Sequence, residues 1–140
     1  MFQAQQLLEV QTPGRGLHEI TKQVAAFVHE AGVRSGQVTI FCKHTSASLL
    51  IQENADPSAG HDLLAWLERL APDGDPHYTH TAEGSDDMPA HLRSAVTRTS
   101  EVIPIVDGAL GLGTWQGVFL AEHRTHAHRR VLILHVVGSL

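Results

Sequence analysis

The sequence predicts an α+β domain in which layers of mostly antiparallel β-sheet are flanked by helices. Short segments rich in apolar and β-branched residues alternate with Gly, Pro and Asp clusters, which is typical of strands and turns. Three other segments carry apolar residues at helical spacing, and the last third of the chain is almost entirely strand-like. Because the chain has 140 residues, we expect a single domain that spans residues 1–140.

Three helices are predicted. In the first, apolar residues recur at three- and four-residue steps from Leu17 to Ala31, and a glycine follows. The second begins after Asp56, a good N-cap residue that precedes a proline, and it ends at Leu70. The third covers residues 88–98.

The strands are predicted at residues 2–11, 37–43, 48–53, 101–106, 109–112, 115–122 and 130–137. Asp107 and Gly108 form a strong hairpin turn signal between two of them. The last strand is so continuously apolar that we expect it to be covered on both faces, by helices or by another subunit.

Composition excludes several classes of protein. A net charge of −5 and the lack of a long basic run argue against a nucleic-acid-binding protein. No apolar run approaches the roughly 20 residues of a membrane span, so we expect no membrane association. The single cysteine, Cys42, excludes an internal disulfide and fits a cytoplasmic protein. Eleven histidines, which are common metal ligands, favour a functional site.

Residues 41–56 (FCKHTSASLLIQENAD) are the stretch around which a site is expected. A bend that carries His44, Thr45 and Ser46 interrupts two apolar strands, and Glu53 and Asn54 follow the second strand. Ligand-type side chains that break the apolar pattern of a core strand are typical of a functional site.

His44, His80 and His91 are the candidate metal ligands. The first lies at the bend, and the other two flank an acidic loop. Three imidazoles that leave one position open are the ligand set of a catalytic zinc site. The alternative is that each is a hydrogen-bonded loop or cap histidine. Spacing alone favours that alternative, since no HExxH or CxxC motif is present.

The candidate general acids or bases are Glu53, Asp87 and Glu122, each placed near the end of a strand or in the acidic loop. A second histidine cluster, at residues 123–128 (HRTHAH), lies beside several arginines. Their positive charge opposes a metal ion, so that segment is predicted to be a solvated or anion-contacting loop.

Four segments together resemble the secondary thiamine-phosphate synthase (YjbQ-like) family. These are residues 44–47 (HTSA), 52–57 (QENADP), 86–91 (DDMPAH) and 112–117 (LGTWQG). The similarity covers nearly the whole chain, and the GTWQG block is its most specific part. It implies a compact α+β fold and a homotrimer.

The activity that the resemblance implies is a weak thiamine-phosphate synthase reaction, which joins hydroxymethylpyrimidine pyrophosphate to a thiazole phosphate. Its motif histidines fall on His44, His80 and His91, which favours metal binding by the three histidines; zinc is our first choice of divalent ion. The resemblance also implies substrate-binding roles for five polar companions: Thr45, Ser46, Asn54, Trp115 and Gln116. The acidic loop is longer than in some relatives, so the direction its carboxylates face is left open.

The expected function is therefore that of a metal-dependent enzyme, a transferase or a metal-assisted hydrolase, with a small phosphorylated substrate. The chain has no Asp-rich motif of the kind that grips a diphosphate through magnesium, which suggests that the main substrate is another molecule. The alternative is a non-catalytic trimeric protein that binds a small phosphorylated metabolite or a metal.

Overall fold

The computed structural model describes all of residues 1–140 and contains eight strands and three helices. The strands are β1 (Phe2–Thr12), β2 (Gly16–Glu19), β3 (Ser35–Cys42), β4 (Ala47–Glu53), β5 (Ser100–Val106), β6 (Ala109–Leu110), β7 (Gln116–Glu122) and β8 (His128–Ser139). The helices are α1 (Thr21–Ala31), α2 (Pro57–Leu70) and α3 (Asp87–Val96). None of the helices combines the length and the apolar character that crossing a bilayer requires.

The strands form two sheets, and every neighbouring pair is antiparallel. The larger sheet has the order β1-β8-β3-β5-β6, and the smaller has the order β2-β7-β4. Buried side chains from both sheets and from α1 form one continuous apolar cluster. The predicted α+β fold with antiparallel sheets and flanking helices is therefore confirmed.

Local signals explain the start of α2 and the turn between β5 and β6. Asp56 caps α2 by accepting a hydrogen bond from the Ser58 amide, and Pro57 occupies the first turn, as predicted. Asp107 and Gly108 both have positive φ angles, 50° and 84°, which fits a type I′ hairpin turn between β5 and β6.

The first predicted helix begins four residues too early. Residues 16–19 form β2, whose backbone pairs with β7 in the register Gly16↔Glu122 to Glu19↔Phe119. Leu17 and Ile20 have helical spacing in the sequence, but pairing with a distant strand satisfies the backbone of this segment instead. Helix α1 begins at Thr21.

Strand β8 differs from its prediction in how it is covered. Its burial alternates, with Leu132, Leu134 and Val136 fully buried and the intervening side chains half-buried. Within the chain, one face of β8 therefore packs into the core and the other is only partly covered. Cover of that outer face by another subunit stays a prediction.

Candidate functional site

A cluster of three side chains brings together two of the predicted histidines and one of the predicted carboxylates. The Nε2 atoms of His80 and His91 lie 2.9 Å and 3.2 Å from the same oxygen, Oδ2 of Asp87. The three potential ligand atoms all lie within 4.8 Å of one another. We call these three residues the His-Asp-His cluster.

Helix α3 places two members of the cluster. Asp87 is its first residue and His91 lies one turn later, so the two side chains share one face of the helix. His80 comes from the irregular segment between α2 and α3. Asp87 is 2% exposed, whereas the side chain of His80 is about half exposed, so the cluster opens to solvent on the His80 side.

Arg124, in the loop between β7 and β8, holds the acidic end of the cluster in place. Its Nη1 donates to Oδ1 of Asp87 at 3.0 Å, which leaves Oδ2 facing the two imidazoles. Its Nε donates to Asp86 at 2.9 Å. Burial alone would raise the pKa of Asp86, but hydrogen bonds from Thr125 and Arg124 outweigh it and hold that pKa far below its ordinary value. One guanidinium thus forms ion pairs with both aspartates.

The orientation of His91 is set by a backbone carbonyl. Its Nδ1 lies 3.0 Å from the carbonyl oxygen of Thr45, which can only accept a hydrogen bond. The proton of a neutral His91 is therefore on Nδ1, and the lone pair of Nε2 faces Asp87. Thr45 contributes to the site here through its backbone.

His44 lies beside the cluster rather than within it. Its Nε2 accepts a hydrogen bond from the Val131 amide at 2.8 Å, so this nitrogen is already occupied. Burial, with a smaller contribution from the positive charge of Arg130, lowers the pKa of His44 and keeps the ring neutral at pH 7. The sequence predicted His44 as the third metal ligand beside His80 and His91, but in the structure Asp87 provides the third potential ligand atom.

Two cavities border the cluster. One, of about 390 Å³, is lined by His91, His44 and the hydroxyl-bearing residues Thr45, Ser94 and Thr99, together with Ala95. The other, of about 300 Å³, lies on the His80 side and is formed mainly by residues 74–88. No carboxylate lines the first cavity, whereas Asp75 lines the second.

Two predicted site residues contact the buried Arg130: Glu122 forms an ion pair with it, and Ser46 a hydrogen bond. Glu122 is 0% exposed and accepts hydrogen bonds from Arg130, from Thr12 at 2.6 Å and from the Arg124 amide. The hydroxyl of Ser46 accepts from Arg130 at 3.0 Å. Burial would raise the pKa of Glu122, but the bonds from Arg130 and Thr12 outweigh it and lower that pKa. This arrangement joins β1, β7 and β8.

The remaining four predicted residues lie at the opposite end of β4 and β7. Glu53 is the last residue of β4 and Asn54 follows it; the backbone amide of Asn54 donates to the carbonyl of Trp115 at 3.0 Å. The side chain of Gln116 accepts a hydrogen bond from the Gly113 amide at 2.8 Å, so it braces its own turn. Because β4 has seven residues, its two ends lie roughly 20 Å apart.

Sequence reasoning missed two residues near the site. Arg124 was treated as a charge that opposes metal binding, yet it orients Asp87. His123 is 1% exposed, so the prediction of a solvated loop is wrong at this position. Its Nε2 lies 2.8 Å from the Ser48 hydroxyl, but Ser48 is also 1% exposed, which prevents a substrate from reaching this Ser–His pair. In the sequence, the only indication that His123 is buried is the strand-like run of residues 115–122 that precedes it.

Comparison with known proteins gives a consistent result. A family profile described as "UPF0047 protein YjbQ-like" matches residues 6–139. UPF0047 protein sll1880 of Synechocystis is 53% identical over 99% of this chain and 94% of its own length. YjbQ of Escherichia coli O157:H7 is 38% identical over 96% and 98%. The crystal structure of the hypothetical protein TT1486 from Thermus thermophilus has a TM-score of 0.83 and 37% identity, and covers 94% of this chain and 98% of that one.

Proposed function

Since the chain belongs to the UPF0047 YjbQ-like family, in which we expect a phosphate-handling enzyme, we propose that its His-Asp-His cluster binds a divalent metal and acts on a small phosphorylated molecule. Zinc is the first choice of ion. The proposed ligands are His80, Asp87 and His91, with His44 beside them rather than among them.

The observation that carries this proposal is the orientation of His91. Because its Nδ1 donates to the Thr45 carbonyl, the Nε2 of a neutral ring has no proton to give to Asp87, although the two atoms are 3.2 Å apart. Two lone pairs at this distance repel each other unless a cation lies between them. A metal ion, or a second proton on the ring, removes that repulsion.

The surroundings of the cluster match those of known metal sites. A metal-binding imidazole usually donates its other N–H to a backbone carbonyl or a carboxylate, as His91 does to Thr45. A ligand carboxylate is usually held by a further hydrogen bond, as Asp87 is by Arg124. Two imidazoles and one carboxylate suit zinc and leave a position for water or substrate. A zinc ion there would supply Lewis-acid stabilisation of a phosphate oxygen or a leaving group.

The cavity beside His91 is the proposed place for the phosphate. Its lining includes the hydroxyl-bearing residues Thr45 and Thr99 and no carboxylate, so an anion meets hydrogen-bond donors without like-charge repulsion. The Ser94 hydroxyl, which also lines it, already donates to the Ala47 carbonyl. His44 accepts through Nε2, so its neutral ring carries its proton on Nδ1 and adds one more N–H donor to this lining.

The specific reaction that we propose to test first is the thiamine-phosphate synthase reaction, as a weak activity beside an unidentified main one. In it, the thiazole nitrogen forms a C–N bond to the pyrimidine methylene carbon, and the C–O bond to pyrophosphate breaks. The departing pyrophosphate needs charge stabilisation, which a metal and the hydroxyl-lined cavity would provide. The proposal places the enzyme in the cytoplasm.

A homotrimer is part of the proposal. The outer face of the larger sheet carries exposed apolar side chains on three strands, Leu7, Phe41 and Val102, at 62%, 43% and 52% exposure. Leu7 and Phe41 flank Ile133 in register, so these side chains form one row across β1, β8 and β3. A contiguous apolar face of this kind favours contact between subunits.

The test combines metal analysis with an activity screen. The purified protein and its His91→Ala and His29→Ala variants would be analysed for bound metal. They would then be assayed for pyrophosphate release from the two thiamine precursors and for phosphate release from a panel of phosphorylated metabolites. His29 is an exposed residue of α1, so its substitution controls for the loss of a histidine as such.

We expect about one metal per chain and turnover in the wild type and in His29→Ala, and the loss of both in His91→Ala. Full turnover by metal-free His91→Ala would contradict the enzyme proposal. Metal and ligand binding without turnover of any substrate would instead identify the non-catalytic binding protein.

A further inference from the structure

A third cavity, remote from the His-Asp-His cluster, lies where β2, β4, β7 and the start of α2 meet. Its volume is about 430 Å³, within the range of small-molecule sites. The side chains of Leu17, Leu64 and Phe119 supply its apolar surface. It shares no lining residue with the two cavities beside the cluster.

Three carboxylates, from Glu19, Glu53 and Asp56, line this cavity, and no lysine or arginine does. None of the three forms an ion pair with any residue of the chain. Hydrogen bonds from Ser58 lower the pKa of Asp56, so this group is an anion at pH 7. The cavity therefore combines apolar surface with uncompensated negative charge.

Each carboxylate uses only one oxygen within the protein. Oε2 of Glu19 accepts from Thr21 at 2.8 Å and from Asn54 at 3.0 Å. Oε2 of Glu53 accepts from the Asp56 amide, and Oδ1 of Asp56 accepts from the Ser58 amide. The other oxygen of each is free for a ligand. The Asp56, Ser58 and Ala59 amides at the start of α2 are all occupied, and Pro57 has no N–H, so an anion would find few free donors there.

A bare metal ion does not fit this arrangement, because the three carboxylates do not bring their oxygens close enough together to share one ion, as the cluster does. An organic cation spans a greater width and also covers the apolar surface. We infer that this cavity binds a primary ammonium compound with a compact apolar body. The ammonium group, with its three N–H donors, would bond to the free carboxylate oxygens. This inference does not rest on the proposed function.

The test is a titration of the full-length protein at pH 7, followed by ¹H–¹⁵N NMR, with benzylamine as the probe. Benzyl alcohol, its neutral analogue, and benzoate, an anion, are the control ligands. We expect saturable shifts centred on the amides of Gly60, Leu64 and Phe119. Benzyl alcohol should bind about tenfold more weakly, since each exposed ion pair contributes about a two- to fivefold gain in affinity. Added salt should weaken benzylamine binding.

Two variants separate charge from shape. Glu53→Gln should weaken benzylamine binding about two- to fivefold, whereas the matched control Glu30→Gln, on the exposed face of α1, should leave it unchanged. Gly60→Met should block the cavity, because even a Cβ at Gly60 would lie 3.3 Å from Leu17 Cδ1. If Gly60→Met fails to fold, Glu53→Gln decides.

Three results would overturn the inference: no saturation by benzylamine, equal affinity for benzyl alcohol, or the same affinity in Glu53→Gln and Glu30→Gln. Shifts centred on the His-Asp-His cluster instead of the cavity would also overturn it.

Discussion

His123 should make the stability of the protein depend on pH between 5 and 7. It is 1% exposed, with its Nε2 hydrogen-bonded to Ser48. Burial, helped by the positive charge of Arg93, lowers its pKa from 6.5 to about 3. In the unfolded chain the imidazole is protonated as the pH falls through about 6.5, whereas in the folded protein it stays neutral until the pH falls to about 3. The free energy of unfolding therefore rises with pH from about 3 to 6.5 and falls on acidification through that window.

The magnitude follows from these two pKa values. With an ordinary pKa of 6.5 and a folded pKa of about 3, lowering the pH from 7 to 5 should cost about 2 kcal/mol of stability through this single residue. Glu122 and Asp86, whose folded pKa values are lowered, contribute in a different window. Their stabilisation is present above their ordinary values of 4.5 and 3.8 and is lost at lower pH.

The assay is urea unfolding at pH 7 and pH 5, at one protein concentration, of the wild type and of His123→Gln. Glutamine keeps a nitrogen donor for Ser48 but does not titrate. The other histidines are present in both proteins, so the difference between the two pH dependences isolates His123. We expect the wild type to lose about 2 kcal/mol more than the variant. Equal losses in the two proteins would show that His123 is not the source of the pH dependence.

Three further predictions concern other contacts. Arg124→Gln should weaken zinc binding about 10–100-fold in a competition with a chromophoric chelator, because Asp87 loses the group that orients it; unchanged affinity would contradict this. Glu122→Gln should lower the free energy of unfolding by about 3–5 kcal/mol, since Arg130 is left buried without its counter-charge; a loss near zero in urea titrations would disprove the structural role. Gly117→Ala should cost about 1–3 kcal/mol and weaken benzylamine binding, because its Cβ would lie 2.7 Å from Glu19 Oε2; wild-type stability and affinity would be the contrary result.

Sequence patterns predicted the elements whose local pattern of apolar, capping and turn residues matches their environment in the folded protein. Strands β3 and β5 alternate buried and exposed residues, and α2 has both its cap and its proline, so each was recognised from its own residues. Strand β2 was missed because it is only four residues long and its hydrogen bonds go to β7, about a hundred positions away. No local pattern encodes such a pairing.

The site was predicted only in part, for a similar reason. His80 and His91 were identified by their places around the acidic loop, and Asp87 was identified as a candidate carboxylate. The sequence does not show that Val131 occupies the Nε2 of His44, or that Arg124 turns Asp87 toward the imidazoles. Both facts depend on contacts with the β7–β8 region.

The GTWQG block has a structural explanation that the sequence did not provide. Gly117 lets the side chains of Glu19 and Asn54 approach each other to 3.0 Å, where any Cβ would collide with both. Gln116 braces the turn at Gly113. Glu19 and Asn54, which Gly117 accommodates, line the carboxylate-lined cavity, and no residue of the GTWQG block belongs to the metal cluster.

The metal site can be tested most directly by locating zinc in crystals of the protein through its anomalous scattering at the zinc absorption edge. We expect one peak within about 2.0–2.2 Å of His80 Nε2, His91 Nε2 and a carboxylate oxygen of Asp87. A zinc-loaded crystal with no peak at these atoms, or with zinc bound only at His126 and His128, would contradict this expectation.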